Sequence, residues 1–106
     1  MEPELRRGIE LFNHRDFYES HEALEAVWMK ATGARRWFLQ SLIHMAVAFY
    51  HHETGNRIGE SLQFEKGLKK LAGYLPCQEG IDTGDLYVSV IRWRERGGDY
   101  PMIIAD

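Results

Sequence analysis

Cysteine is nearly absent from this sequence, and long apolar runs are missing from it. Cys77 is the only cysteine, so no disulfide can form within the chain, and no CxxC spacing marks it as redox-active. The longest apolar run, which ends at Tyr50, is far shorter than the ~20 residues that a membrane-spanning helix needs. The N-terminal segment also lacks the uninterrupted apolar core of a signal peptide. We therefore expect a cytoplasmic protein with no membrane partner.

A surplus of basic residues is missing too. The 13 lysines and arginines are outnumbered by 16 aspartates and glutamates, for a formal net charge of -3. Because contacts to phosphates need a surplus of Lys and Arg, we expect no nucleic-acid partner. Strand patterns, low-complexity tracts and internal repeats are also absent, so the periodicity that remains is helical.

Apolar residues recur at spacings of three and four along most of the chain. This pattern predicts five helices over residues 3–13, 16–31, 34–54, 56–75 and 82–96, followed by a tail over 97–106. The third helix carries apolar residues on nearly every side, which is typical of a helix surrounded by others. We expect an all-α fold, a compact single-domain bundle of about five helices with a buried central third helix.

Several residues indicate how the helices begin and where they approach one another. Glu19 lies three positions after a predicted cap residue and would complete a capping box there. Gly59 and Gly67 lie inside the fourth helix, where each costs ~1 kcal/mol relative to Ala, so they predict close approach of another helix. The predicted N-caps are Asp16, Asn56 and Asp82.

Two helices carry polar residues on faces that are otherwise apolar. On the third helix, a strip within ~40° contains Gln40, His44 and His51. On the second helix, the apolar face contains His21, bordered by Glu25 and, at its margin, Glu22. We expect these two strips to face each other and to form an inward His/Glu/Gln cluster.

Three interpretations of such a cluster remain open, because a buried carboxylate must be satisfied by a partner. The first is a hydrogen-bonded lock that sets the register of two helices. The second is a divalent metal site for zinc or iron, although neither HExxH nor the ExxH pair of di-iron bundles is present. The third is a polar pocket or a general acid/base site. The candidate metal ligands are His21, Glu25, His44 and His51.

The chain resembles a bacterial and archaeal family called domain of unknown function 309. The resemblance lies in FNHRDFYESHEALEAVW (residues 12–28), in LQSLIHMAVAFYHHETGN (residues 39–56) and in LPCQEGID (residues 75–82). Members of this family are small all-helical proteins whose biochemical activity is not established, so the resemblance implies a fold but no reaction. The residues that the family pattern singles out are Glu19, His21, Glu22, Glu25, Trp28, Gln40, His51 and Asn56.

The chain departs from the family pattern at three positions. Ser41 stands where Gly is usual, His44 where Gln or an apolar residue is common, and Glu60 where a small residue is usual. If position 44 need not be a ligand, a metal site shared by the family loses one imidazole. Our leading hypothesis is a non-catalytic binding or interaction module, and the alternative is a metal-dependent, hydrolase-like enzyme. The sequence also leaves a symmetric homodimer open.

Overall fold

The computed structural model describes all 106 residues and contains five α-helices. They are α1 (Pro3–Asn13), α2 (Phe17–Lys30), α3 (Gly33–Thr54), α4 (Arg57–Leu71) and α5 (Thr83–Arg96). There are no strands, only two isolated β-bridges, so the predicted all-α class is confirmed. None of the helices combines the length and the apolar character that crossing a membrane would require.

The end of α4 differs from the sequence prediction, which continued this helix to residue 75. The α-helix stops at Leu71 and tightens into a 3-10 turn over Ala72–Tyr74. Leu75 is extended, with a ψ angle of 152°. The physical reason is Pro76, because a proline disfavours helical dihedrals in the residue before it.

Two of the three predicted N-caps make the expected hydrogen bond. Asn56 Oδ1 accepts the Gly59 N–H at 2.9 Å, and Asp82 Oδ1 accepts the Asp85 N–H at 2.8 Å. Asp16 precedes α2 as predicted, but its side chain makes no cap hydrogen bond, so the predicted capping box with Glu19 is wrong. The carboxylates of Asp16 and Glu19 are both exposed, so water competes with the backbone N–H groups for their hydrogen bonds.

The position of α3 between α2 and α4 agrees with its predicted central place. A Cβ atom added to Gly67 of α4 would lie 3.0 to 3.3 Å from atoms of Met45, His44 and Ser41, and one added to Gly59 would lie 2.9 Å from the His51 ring. The prediction that both glycines mark a close approach of another helix is therefore confirmed.

Phe49 of α3 is the centre of the aromatic core and is fully buried. Its ring centroid lies 4.9 to 5.7 Å from the rings of Phe12, Phe17, Phe64, Trp93 and Tyr100. These rings come from α1, α2, α4, α5 and the C-terminal tail. One side chain of the central helix thus joins every layer of the fold.

The tail after α5 packs on the body of the molecule. Asn13 of α1 donates a hydrogen bond from Nδ2 to the Ile103 carbonyl at 2.9 Å, and its Oδ1 accepts the Ile103 N–H at 2.7 Å. A β-bridge joins Ala105 to Ile81. The tail is therefore held against α1 and the segment before α5.

Candidate functional site

The polar strip of α3 lies at the surface, in the gap between α2 and α4. Gln40, His44 and His51 are half-buried, and Trp37 at the end of the strip is 57% exposed. The expectation of an inward-facing cluster is therefore wrong. The apolar sides of α3 do contact other helices, but α2 and α4 flank this strip without closing over it.

His44 faces α4 and is held there by two side chains. Its Nδ1 lies 2.7 Å from Gln63 Oε1, and its Nε2 lies 3.0 Å from Lys70 Nζ. Lys70 Nζ also donates a hydrogen bond to Gln40 Oε1 at 2.8 Å. Since an ammonium group can only donate, His44 Nε2 must accept, and Nδ1 must carry the proton that is donated to Gln63. This network defines a neutral imidazole in one tautomer.

The electrostatics of the network follow from burial and from neighbouring lysines. Burial lowers the pKa of His44, and the charges of Lys70 and Lys66 lower it further, whereas the Gln63 hydrogen bond raises it. Burial also lowers the pKa of Lys70, and the charge of Lys66 acts in the same direction. The Lys70 ammonium additionally lies 4.9 Å from the centre of the Trp37 ring.

His21 faces a different set of partners, all on its own helix. Its Nδ1 lies 2.7 Å from the Tyr18 carbonyl, and its Nε2 lies 3.2 Å from Glu25 Oε1. Only the Tyr18 contact is a hydrogen bond, and because the carbonyl can only accept, His21 Nδ1 is its donor. Glu25 is 43% exposed in its side chain, which makes this an ion pair of the weak i,i+4 surface kind.

His51 is the member of the α3 strip that does lie near His21. Both rings line a cavity of about 180 Å³ between α2 and α3. Tyr18 and Tyr50 lie side by side here, with ring centroids 5.6 Å apart. The full lining is Phe17, Tyr18, His21, Val47, Tyr50 and His51. The predicted meeting of the two strips is thus correct for His21 and His51 and wrong for Gln40 and His44.

The four candidate metal ligands do not converge on one point. His44 turns towards α4, while His21 and Glu25 pair with each other on α2. No group of three or more His, Cys, Asp or Glu side chains is placed to hold a metal ion. The four candidates therefore do not form one site, because α3 presents one strip to two neighbouring helices and its histidines divide between them.

The other residues of the family pattern have separate positions. Glu19 and Glu22 are exposed on α2 near Arg7, and Asn56 is the cap of α4. Trp28 lies under the Arg36 guanidinium, whose carbon is 3.8 Å from the ring centre. Arg36 also donates to the Ala31 carbonyl at 3.2 Å and so caps the C-terminal end of α2.

Two residues of the network, Gln63 and Lys70, were not predicted as site residues. The signal that could have found them is their spacing around Gly67, because positions 63, 67 and 70 share one side of a helix. Gly67 marks that side as the one next to another helix.

Large apolar side chains are exposed on α2, α3 and α4 around this strip. We call this surface the α2–α3–α4 face. The most exposed of them are Ile58 (78%) and Met29 (72%), and the others are Tyr18, Trp37, Tyr50 and Leu62. The α2 side of the face is acidic at Glu22 and Glu25, and the α4 side is basic at Lys66, Lys69 and Lys70.

Comparison with known proteins places the chain in a family. A family model described as domain of unknown function (DUF309) matches residues 5–61. The chain is also 30% identical over 102 residues to a Bacillus subtilis (strain 168) protein described as uncharacterized protein YpuF. That match covers 91% of this chain and 59% of YpuF, so the chain spans little more than half the length of this relative. The α1, α2 and α3 segments and the start of α4 therefore carry the family pattern, and the chain belongs to the DUF309 family.

Proposed function

We propose that this chain is a non-catalytic protein-interaction module and that the α2–α3–α4 face is its docking surface. The observation that carries the proposal is the exposure of six large apolar side chains, Tyr18, Met29, Trp37, Tyr50, Ile58 and Leu62, on adjacent helices. Single exposed apolar residues are ordinary, but several large ones on one side of a molecule are typical of an interaction site. Aromatic residues are enriched in the centres of such sites, and three of the six are aromatic.

The polar groups of the face support a binding role over a catalytic one. Both ring nitrogens of His44 have hydrogen-bond partners within the protein, and Nδ1 of His21 is bonded to the Tyr18 carbonyl. A general base needs a free nitrogen within reach of its substrate, and His44 offers none. The metal-dependent alternative would need ligands that converge, and His44 faces away from the others. His44 serves instead to join α3 to α4 beside an apolar surface.

Site-specific crosslinking tests this proposal. A photo-reactive amino acid at position 37, on the middle helix of the face, should give a discrete protein adduct in cells. The matched control is the same amino acid at position 88, because Val88 of α5 is also exposed (52%) but lies outside the face. A Leu62→Glu substitution should remove the adduct at position 37, since it places a charge among apolar contacts. Equal adducts at both positions, or an adduct that survives Leu62→Glu, would contradict the proposal.

A further inference from the structure

We propose that the partner of the α2–α3–α4 face is a second copy of this chain, related by a two-fold axis parallel to α3. This inference rests on the proposed function and adds the identity and orientation of the partner. In this arrangement α2 of one protomer lies over α4 of the other, and α3 lies beside the axis. The argument depends on the order of charges along the two outer helices of the face.

The outward side of α2 is acidic in its middle and apolar at both ends. Tyr18, Glu22, Glu25 and Met29 follow one another at spacings of four, three and four, so they form one stripe on the helix. Tyr18 and Met29 are 52% and 72% exposed. Glu22 is exposed, and Glu25 is partly exposed beside His21.

The outward side of α4 is apolar in its first half and basic in its second half. Its stripe consists of Ile58, Leu62, Lys66 and Lys69, at spacings of four, four and three, with the exposed Glu65 at its margin. Ile58 and Leu62 are exposed. Lys66 and Lys69 are exposed too, and neither forms an ion pair within the protein.

Contacts with α3 establish which parts of the two stripes lie at the same level. At one end of the face, the Tyr18 ring contacts the Tyr50 ring, and Gly59 of α4 lies against the neighbouring His51. At the other end, Arg36 covers Trp28, and Lys70 reaches Gln40. The helices α2 and α4 therefore run parallel to each other. Tyr18 lies level with the start of α4, and Met29 lies level with its end.

A two-fold axis in the plane of this face has two simple directions. An axis parallel to α3 places α2 of one protomer over α4 of the other. Residues at the same height along α3 then lie opposite each other. It places Tyr18 against the partner's Ile58, and Glu22 and Glu25 against the partner's Lys66. An axis perpendicular to α3 would place α2 on α2, with the acidic middles opposed, and α4 on α4. Like charges across an interface cost several kcal/mol, so the charge pattern selects the parallel axis.

The size of the face is sufficient for such a dimer. The molecule measures 32 × 25 × 22 Å, and three of its five helices contribute to the face. A standard interface buries ~800 Å² on each partner, with a centre of aromatic residues and a charged rim. Trp37 and Val47 would lie near the axis, and the Glu22, Glu25 and Lys66 side chains would form the rim.

Sedimentation analysis of charge-reversal variants tests the proposal. The wild-type chain should be a dimer. Glu25→Lys alone and Lys66→Glu alone should each weaken dimerisation by about tenfold or more, because each leaves like charges opposed. The double variant should form a dimer again. An equimolar mixture of the two single variants should form a heterodimer, since both of its rim contacts then join opposite charges. Glu95→Lys on α5 is the matched control and should leave the dimer unchanged.

Other outcomes overturn the proposal in distinguishable ways. A wild-type chain that remains monomeric overturns it, as do single variants that stay dimeric or a mixture that stays monomeric. A Glu25→Lys variant that dimerises more tightly would indicate the perpendicular axis. Circular dichroism separates a lost interface from a lost fold. If the chain is monomeric but the crosslink at position 37 gives a Leu62-dependent adduct that is not twice 12.4 kDa, the proposed function stands and only the identity of the partner fails.

Discussion

Lys70 Nζ lies 3.0 Å from His44 Nε2, so an ammonium group donates a hydrogen bond to a neutral imidazole across the α3–α4 contact. The arrangement is stable only while His44 has no second proton. Protonation of Nε2 would replace the hydrogen bond with two cations in contact. The proton on Nδ1 is donated to Gln63, and the other neutral tautomer would lose both hydrogen bonds, because its Nε2–H would face the Lys70 ammonium.

The pH dependence of folding should reflect this pair. The pKa of His44 is lowered in the folded protein, chiefly by burial, from its ordinary value of 6.5. Above pH 6.5 the ring is neutral in both states, and its contribution to stability is complete. As the pH falls from 6.5 towards the lowered pKa of the folded state, His44 binds a proton in the unfolded chain but not in the folded chain. We therefore expect the free energy of unfolding to fall across this window.

The variant His44→Gln isolates this contribution from that of the other histidines. Its amide can still contact Gln63 and Lys70, but it does not titrate. We expect the difference in free energy of unfolding between wild type and variant to be constant above pH 6.5. Below pH 6.5 the wild type should lose stability relative to the variant. Urea unfolding from pH 7.5 to pH 4.5 measures this difference. A difference that shifts in favour of the wild type as the pH falls would mean that the folded pKa is raised, contrary to the geometry.

Replacing Lys70 should change both the stability and the titration of His44. Lys70→Met keeps the aliphatic stem against Trp37 but removes the donor to Gln40 and His44. We expect a loss of about 1 kcal/mol in the free energy of unfolding. The pKa of His44 should move back towards its ordinary value, because the charge of Lys70 lowers it. Proton NMR of the His44 ring measures this shift.

Lys69→Met is the control for Lys70→Met, because Lys69 is the adjacent lysine and is exposed. It should leave the His44 resonance and the unfolding curve close to those of the wild type. If the two methionine variants behave alike, the Lys70 hydrogen bonds contribute nothing measurable.

Two cap residues of the same kind should differ in their contribution to stability. Asn56→Ala removes the acceptor of the Gly59 N–H and should cost about 1 kcal/mol. Asp16→Ala removes no cap hydrogen bond and should cost less than ~0.5 kcal/mol, the residual effect of a negative charge near a helix N-terminus. Chemical denaturation of the two variants gives the comparison. Equal costs would show that Asp16 caps α2 in solution after all.

Local patterns were sufficient to predict much of the fold. Gly67 and Gly59 have low helix propensity, so their presence inside a helix indicated a close contact with another helix. The structure contains this contact, with α3. Asn56 was predictable as a cap because it lies between a left-handed glycine and an apolar helix. These features depend on neighbours a few residues away, which is the range that a sequence pattern describes.

The candidate site was less predictable, because it depends on which helix lies beside each residue. Periodicity correctly placed Gln40, His44 and His51 on one strip, but α2 and α4 both flank that strip. The position of His44 in the sequence does not show whether its ring contacts Glu25 of α2 or Lys70 of α4. The side chains of α4 decided the outcome, since Gly67 admits α3 closely enough for Gln63 and Lys70 to reach His44.

The aromatic core gives a final prediction. Phe49→Ala would leave a cavity among the rings of α1, α2, α4, α5 and the tail, and should reduce the free energy of unfolding by ~3–5 kcal/mol. Tyr50→Ala, one residue further along α3, is the control and should cost far less, because Tyr50 is 37% exposed. Thermal and urea unfolding of both variants measures the contrast. Phe49→Ala should lose more free energy of unfolding than Tyr50→Ala, because only the Phe49 ring contacts rings from every layer of the fold. A larger loss for Tyr50→Ala would contradict this description of the core.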